Sequence, residues 1–247
     1  MIYIYKNLGE TPLEALDRLR VEKPEYKDEK LSYAGRLDPM AEGVMLVMVG
    51  IENKEREKYL NMNKEYEFEV LFGLATDTYD LLGLPAQAGL ATDHLGVRLP
   101  SEDAIREALK KFKGVRSQIY PAYSSKTVAG RPLFEYAREG KLGEIEMPQK
   151  EVEIFDIELL GMREISKQDL LVDILQRISL VKGDFRQAEI KKRWREVLTD
   201  LDIPNFKIAK IRMHASSGTY ARAVASELGT ALGLPALAFS IKRTAYK

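Results

Sequence analysis

The stretch Tyr33-Ala-Gly-Arg-Leu-Asp-Pro-Met-Ala-Glu-Gly-Val-Met-Leu-Val-Met-Val-Gly50 decides how the rest of the chain is read. Its second half, Val44–Val49, is a continuous apolar run of strand length, bounded by Gly43 and Gly50. Its first half is a loop. Pro39 pushes Asp38 towards extended geometry and away from the helical region. Gly35 and Gly43 flank the carboxylate and permit close backbone approach. A carboxylate on a constrained loop immediately before a buried strand is well placed to be held rigid at a cleft. By itself, though, Asp-Pro is a common turn element, and an ordinary turn carboxylate is the plainer reading.

Working outward, Ile2–Tyr5 reads as a short strand. Pro12–Arg20 reads as a helix, with Thr11 as its cap, Pro12 at the first helical position and Leu13, Leu16 and Leu19 near helical spacing. Tyr66, Phe68, Val70 and Phe72 alternate with Glu67 and Glu69, which predicts a half-buried strand. Thr76–Pro100 is rich in Gly, Asp, Pro and Thr and reads as a long loop of functional type. Ser101 caps a predicted helix running to about Phe112, and Leu133–Arg138 is a short one. A strand is predicted over Val152–Leu160. Helices follow over Lys167–Leu180 and Phe185–Leu198, with Lys182-Gly-Asp184 as the turn between them. Ile208, Ile211 and Met213 mark another strand, and Thr219–Leu232 is a helix stopped by Gly233. The expected architecture is α+β, a mixed, largely antiparallel sheet flanked by helices.

Composition narrows the chemistry. The 247 residues contain no cysteine and two histidines, His94 and His214. Disulfides, thiolate catalysis, Cys-based zinc sites and a zincin helix are therefore excluded. No apolar run approaches the roughly 18 residues of a membrane span, and no secretion signal is visible, so the cytoplasm is the expected compartment. Net charge is zero, but from Lys207 to Lys247 seven Lys/Arg face one acidic residue, Glu227. Such a segment predicts a locally basic, RNA-binding face that includes Lys207, Lys210, Arg212, Lys242 and Arg243; a solubilising tail is the alternative.

Five blocks, in order, resemble the TruB-type tRNA pseudouridine synthases. Gly35-Arg-Leu-Asp-Pro-Met-Ala-Glu-Gly-Val44 is similar to that family's nucleophile motif, and Lys64-Glu-Tyr66 to its Lys-x-Tyr strand. Gly73-Leu-Ala-Thr-Asp-Thr-Tyr-Asp80 and Pro121-Ala-Tyr-Ser-Ser-Lys126, with Phe134-Glu-Tyr-Ala-Arg-Glu-Gly140, match two further motifs. Ser216-Ser-Gly-Thr-Tyr-Ala-Arg222 followed by Glu227-Leu-Gly229 resembles the last. The resemblance spans most of the chain from about residue 31.

It implies a pseudouridine synthase catalytic fold and an isomerase that flips a uridine out of folded RNA. The target is expected at tRNA position 55 in the T loop. Asp38 maps to the nucleophile, a role carboxylates fill in other covalent mechanisms. Tyr66 maps to the aromatic that stacks on the flipped uracil, and Arg222 to the arginine that pairs with Asp38. Tyr220 and Ile241 fall at base-pocket positions. From pattern alone, core is the plainer reading of Tyr66 and a solvated helix arginine that of Arg222, while Ile241 reads equally as core and Tyr220 equally as helix packing. Tyr33 stands where the family usually has a histidine and is expected to touch substrate, by stacking. Arg36 replaces an alanine, a flavour found in other pseudouridine synthases.

The expected organisation is a single catalytic domain over residues 1–247, with a helical insertion at about 163–203 and no C-terminal PUA domain. A monomer acting on the T arm of tRNA without cofactor, metal or membrane is expected. The rival readings are a synthase for another tRNA or rRNA uridine, a non-catalytic RNA-binding or RNA-folding module, and a metal-dependent nuclease or phosphatase built on Asp38, Asp77 and Asp80.

Overall fold

The computed structural model describes residues 1–85 and 99–247. In chain order its elements are β1 (Ile2–Lys6), α1 (Pro12–Glu22), β2 (Leu31–Ala34), β3 (Ala41–Val49), α2 (Arg56–Leu60) and β4 (Lys64–Phe72). Next come α3 (Glu102–Lys110), β5 (Gly114–Ile119), β6 (Thr127–Val128), β7 (Arg131–Pro132) and α4 (Leu133–Arg138). The last are β8 (Gln149–Ser166), α5 (Lys167–Leu180), α6 (Gln187–Asp200), β9 (Asn205–Ala215), α7 (Ala221–Ala231) and β10 (Ala236–Tyr246). Eight strands form one sheet in the order β1-β3-β10-β4-β9-β8-β5, with β2 also paired to β3. Only β3 and β10 run parallel. This is the expected α+β fold with a mixed, largely antiparallel sheet.

Alternation along β4 explains the layering. Tyr66, Phe68, Val70 and Phe72 project to one face, where α3 and α7 bury them with Ile105, Leu109, Val224 and Leu228. The opposite face presents Glu65, Glu67 and Glu69 and turns apolar only at Leu71. There the pair α5–α6 covers the sheet, packing Ile174, Ile190 and Trp194 over Leu71, Ile208, Leu237 and Phe239. Trp194 is fully buried, and its indole N–H donates to the Leu81 carbonyl at 3.1 Å. Trp194→Phe keeps an aromatic ring but removes that donor and some volume, and should cost about 1–3 kcal/mol. Denaturant unfolding followed by circular dichroism measures this; an unchanged midpoint would mean the contact contributes nothing.

The register also corrects the expectation of a basic face. Glu67 lies opposite Arg212 on β9 and Lys242 on β10, and Glu69 opposite Lys210. Lys210 pairs with Glu67 at 2.8 Å, Arg212 with Glu158 at 3.0 Å and Lys247 with Glu65 at 3.3 Å. Lys207 donates to the Pro100 carbonyl, and Arg222 and Arg243 are buried. Cross-strand acids neutralise most of what looked basic in linear sequence.

Other differences have local causes. The strand predicted over Val152–Leu160 is part of β8, whose bulges between Ile154 and Asp156 and between Leu159 and Gly161 break the alternation. Residues 163–166 belong to that strand, paired with 205–208, so the insertion expected at about 163–203 turns helical only at Lys167, where the helix itself was predicted to start. Within Thr76–Pro100, residues 76–85 form a tight turn closed by a Thr76–Pro85 bridge. The central part of that predicted loop, 86–98, lies outside the described residues.

Candidate active site

Strand β3 changes partner along one edge, from β10 at residues 41–43 to β2 at 46–49. The loop bearing Asp38 emerges from this fork, and two side chains of β10 satisfy the backbone there. Arg243 donates to the carbonyls of Val44 (2.8 Å) and Gly35 (3.2 Å). The Tyr246 hydroxyl accepts from Leu46 N–H and donates to the Ala34 carbonyl. Gly43 is required at the fork: its φ is +118° and a Cβ would lie 2.2 Å from the Arg243 carbonyl oxygen. The far end of the loop is tied by Gly9 N–H to the Pro39 carbonyl at 2.9 Å. The buried Lys6 ammonium caps the Ala41 carbonyl at 2.5 Å; desolvation lowers its pKa to about 8. Asp38 is therefore presented by a braced loop, as Pro39 and the glycines predicted.

Asp38 opens into a cleft of about 590 Å³. Arg222, on the first turn of α7, donates from Nε to Asp38 Oδ2 at 2.8 Å. Its other two nitrogens donate to the Thr78 carbonyl at 2.8 Å and the Tyr123 carbonyl at 3.1 Å. The guanidinium is buried at 3% side-chain exposure while the carboxylate keeps 31%. The cation is thus fixed from behind and the anion faces the cavity, the arrangement of an oriented, accessible carboxylate.

Tyr66, Tyr220 and Ile241 line the same cleft. Burial, reinforced by the Asp38 charge, pushes the Tyr220 hydroxyl up to about 12, so it stays protonated at neutral pH. Tyr120 packs edge-on against the Tyr220 ring, with centroids 5.8 Å apart. Five of the six predicted site residues thus converge. Tyr33 does not. Its side chain packs with Leu31 against Ala15, Leu16, Met45 and Val47, because Ala34, one position on, takes the opposite face of β2.

Several residues that the structure places here were not among those expected at the pseudouridine synthase site. Asp80 is buried; its Oδ1 accepts from the Thr78 hydroxyl at 2.7 Å and Leu82 N–H at 2.9 Å. Its signal was its place in the Gly73–Asp80 block. Tyr123 offers its backbone carbonyl to Arg222, and the Arg243 side chain donates to backbone carbonyls; neither contact leaves a pattern in the sequence. Among the lining residues, seven are cationic (Arg36, Lys64, Arg138, Lys150, Arg186, Arg222, Arg243) against Asp38, Asp80 and Asp184. Positive charge is concentrated at the cleft rather than on the C-terminal strands. The three acids of the rival metal reading point to separate partners: Asp38 to Arg222, Asp77 to Arg186 and Asp80 to Thr78. Among the described residues no three His, Asp or Glu side chains are placed to share an ion.

Burial, with the Asp38 charge adding to it, raises the Asp80 pKa to about 6 although Arg222 opposes the shift. The folded state then binds more protons than the unfolded chain between about pH 4 and 6. Asp80 therefore favours folding at the acid end of that window and disfavours it as pH rises through it. Asp80→Asn, which cannot ionise, should gain stability relative to the parent across the same window. Unfolding free energies of both proteins from pH 4 to 7 test this; a flat difference would refute it.

A family model described as TruB family pseudouridylate synthase (N terminal domain) matches residues 23–185. The tRNA pseudouridine synthase B of Caldanaerobacter subterraneus subsp. tengcongensis is 32% identical over 212 residues, covering 86% of this chain and 67% of that protein. The protein of the same name from Parabacteroides distasonis is 29% identical over 247 residues, covering 99% and 84%. The Staphylococcus aureus protein is 32% identical, and the chain spans 61% of its length. Among solved structures, a Cbf5–Nop10–Gar1 complex superposes with a TM-score of 0.58 at 18% identity, over 99% of this chain and 48% of that one, a likeness of fold. Among the described residues no helix is long and apolar enough to cross a membrane. On the family match to 23–185 and relatives of this identity and coverage, the chain belongs to the TruB family of pseudouridylate synthases.

Proposed function

We propose that this chain, as a single catalytic domain, converts a uridine of tRNA, at position 55 in the T loop, to pseudouridine, with Asp38 as nucleophile. The observation that carries the reading is the Asp38–Arg222 pair, a carboxylate oriented by a buried guanidinium and open to a cleft of nucleoside size. Relatives named tRNA pseudouridine synthase B support tRNA as the substrate. The reaction is an isomerisation: the bond between uracil N1 and the ribose breaks, a bond from uracil C5 forms in its place, C5 loses a proton and N1 gains one. It balances without water, redox partner or group donor.

Tyr66 offers an aromatic edge of the cleft on which the flipped uracil stacks, and base–aromatic stacking contributes about 1–3 kcal/mol. Ile241 supplies an apolar contact to the base and Tyr220 a protonated hydroxyl. The protein works as a monomer on the T arm, and the cationic cleft lining receives the RNA strand that carries the base. Mapping pseudouridines in tRNA from cells with and without this protein is the test. Loss of the modification at position 55 alone supports the assignment; loss at another uridine replaces the target, and no change overturns the activity.

A further inference from the structure

The α5–α6 pair does more than cover the sheet: its connecting turn forms one wall of the cleft. Asp184, Phe185 and Arg186 all line the cavity, although they lie in a helical segment remote from the motif blocks. The turn is tied down at several points. Arg138 donates to the Asp184 carbonyl at 3.1 Å. Gln187 donates from its side chain to the carbonyls of Val181 (3.1 Å) and Gly183 (2.7 Å). Arg186 itself sits at φ +62°, in the left-handed region that a non-glycine residue adopts at a cost. Its guanidinium lies over the Tyr123 ring, 4.6 Å from the centroid, and donates from one Nη to Asp77 Oδ2 at 3.0 Å.

That geometry holds the guanidinium in place at the cleft wall. One face of the guanidinium is stacked on Tyr123 and Nη2 is paired with Asp77, and Nε and Nη1 lie outside that ion pair. The side chain keeps 21% exposure. A planar cation fixed in this way offers its remaining N–H groups to a phosphate that enters the cleft. None of the cations on helix α6 beyond Arg186 lines the cleft. Lys191 donates to the Ser179 hydroxyl, and Lys192 and Arg193 pair with Glu196 on their own helix. Tyr123, beneath Arg186, also gives its carbonyl to Arg222, so the stacked arginine stands one residue away from the Asp38 pair.

The geometry points to Arg186 as a positioning RNA contact, which grips a backbone phosphate next to the flipped uridine. This rests on the RNA-modifying reading above. The helical segment thereby supplies its phosphate contact from its turn, not from a basic helix face.

The experiment uses the full chain, a tRNA transcript, and the variants Arg186→Gln and Asp77→Asn. Equilibrium binding is measured across a salt series and single-turnover rates across RNA concentration. Arg186→Gln should weaken binding about tenfold. It should also flatten the slope of log affinity against log salt by about 0.7–0.9. The rate at saturating RNA should change much less than the affinity. Asp77→Asn separates contact from brace: it removes the ion pair but leaves the guanidinium available, so affinity and salt slope should hold. If Arg186→Gln leaves the slope unchanged, or Asp77→Asn reproduces its loss of affinity, Arg186 is a structural latch and the inference is overturned. Binding is scored independently of turnover, so a parent protein that binds tRNA but makes no pseudouridine defeats the functional reading without deciding this one.

Discussion

Asp38→Asn is expected to abolish pseudouridine formation, with a loss of at least about 10⁴-fold in single-turnover rate, the scale seen when a covalent nucleophile is removed. The amide is nearly isosteric with the carboxylate and still offers an oxygen to Arg222 Nε, so the loop keeps its geometry. The usual objection is that neutralising one partner of a buried pair strands the other. Here the pair is asymmetric: Arg222 keeps the Thr78 and Tyr123 carbonyls and the nearby Asp80 charge, and Asp38 is partly solvated. The stability cost should therefore stay at the low end for broken ion pairs, near 1 kcal/mol, once solvent screening at Asp38 is allowed for. Affinity for tRNA should be nearly unchanged. Single-turnover assays of a protein free of wild-type carry-over make the measurement, and pseudouridine formed at a tenth of the parent rate would eliminate Asp38 as nucleophile.

The large elements were legible because one physical signal dominated each. Helix α1 had a cap, a first-turn proline and apolar spacing, and it forms a capping box in which Thr11 and Glu14 exchange hydrogen bonds. Strand β4 had strict alternation. Strands β2, β5 and β10 were not predicted for different reasons. Strand β2 has four residues, too few to establish a period. Strand β5 begins at Gly114 and carries Arg116, Ser117 and Gln118, so it reads as polar linker until β8 pairs with it. Strand β10 opens with Ala236-Leu-Ala-Phe239, all buried, because sheet neighbours and both covering layers meet there.

At the site, the motif blocks pointed to Asp38, Tyr66, Tyr220, Arg222 and Ile241, which line one cleft, but not to the side chains that brace them. Arg243 illustrates the limit. In sequence it is one of several C-terminal cations; folded, it is the post that holds the Asp38 loop. The placement of Tyr33 fails for a related reason. A residue can occupy a motif position and still be turned away by the period of a strand only four residues long.

Arg222→Lys is the second large effect expected, and the geometry says why conserving charge is not enough. The guanidinium reaches three acceptors on three separate segments: Asp38 before β3, Thr78 in the turn after β4 and Tyr123 before β6. An ammonium is one point on a flexible stem and cannot span them with the planar spacing of Nε and two Nη atoms. At least one buried carbonyl would lose its donor, at about 1–3 kcal/mol. The lysine would also lose its proton more readily in this desolvated position, weakening the positive charge beside Asp38. The reaction should therefore lose about 10²–10³-fold in rate at saturating tRNA, as when a preorganised electrostatic partner is removed. Affinity should fall far less, because Arg222 lies behind the carboxylate. Thermal unfolding locates a temperature at which the variant is folded, and rate and affinity are compared there with the parent. A folded Arg222→Lys protein with the parent's rate would show that Asp38 needs no oriented guanidinium. A loss confined to affinity would instead make Arg222 an RNA contact.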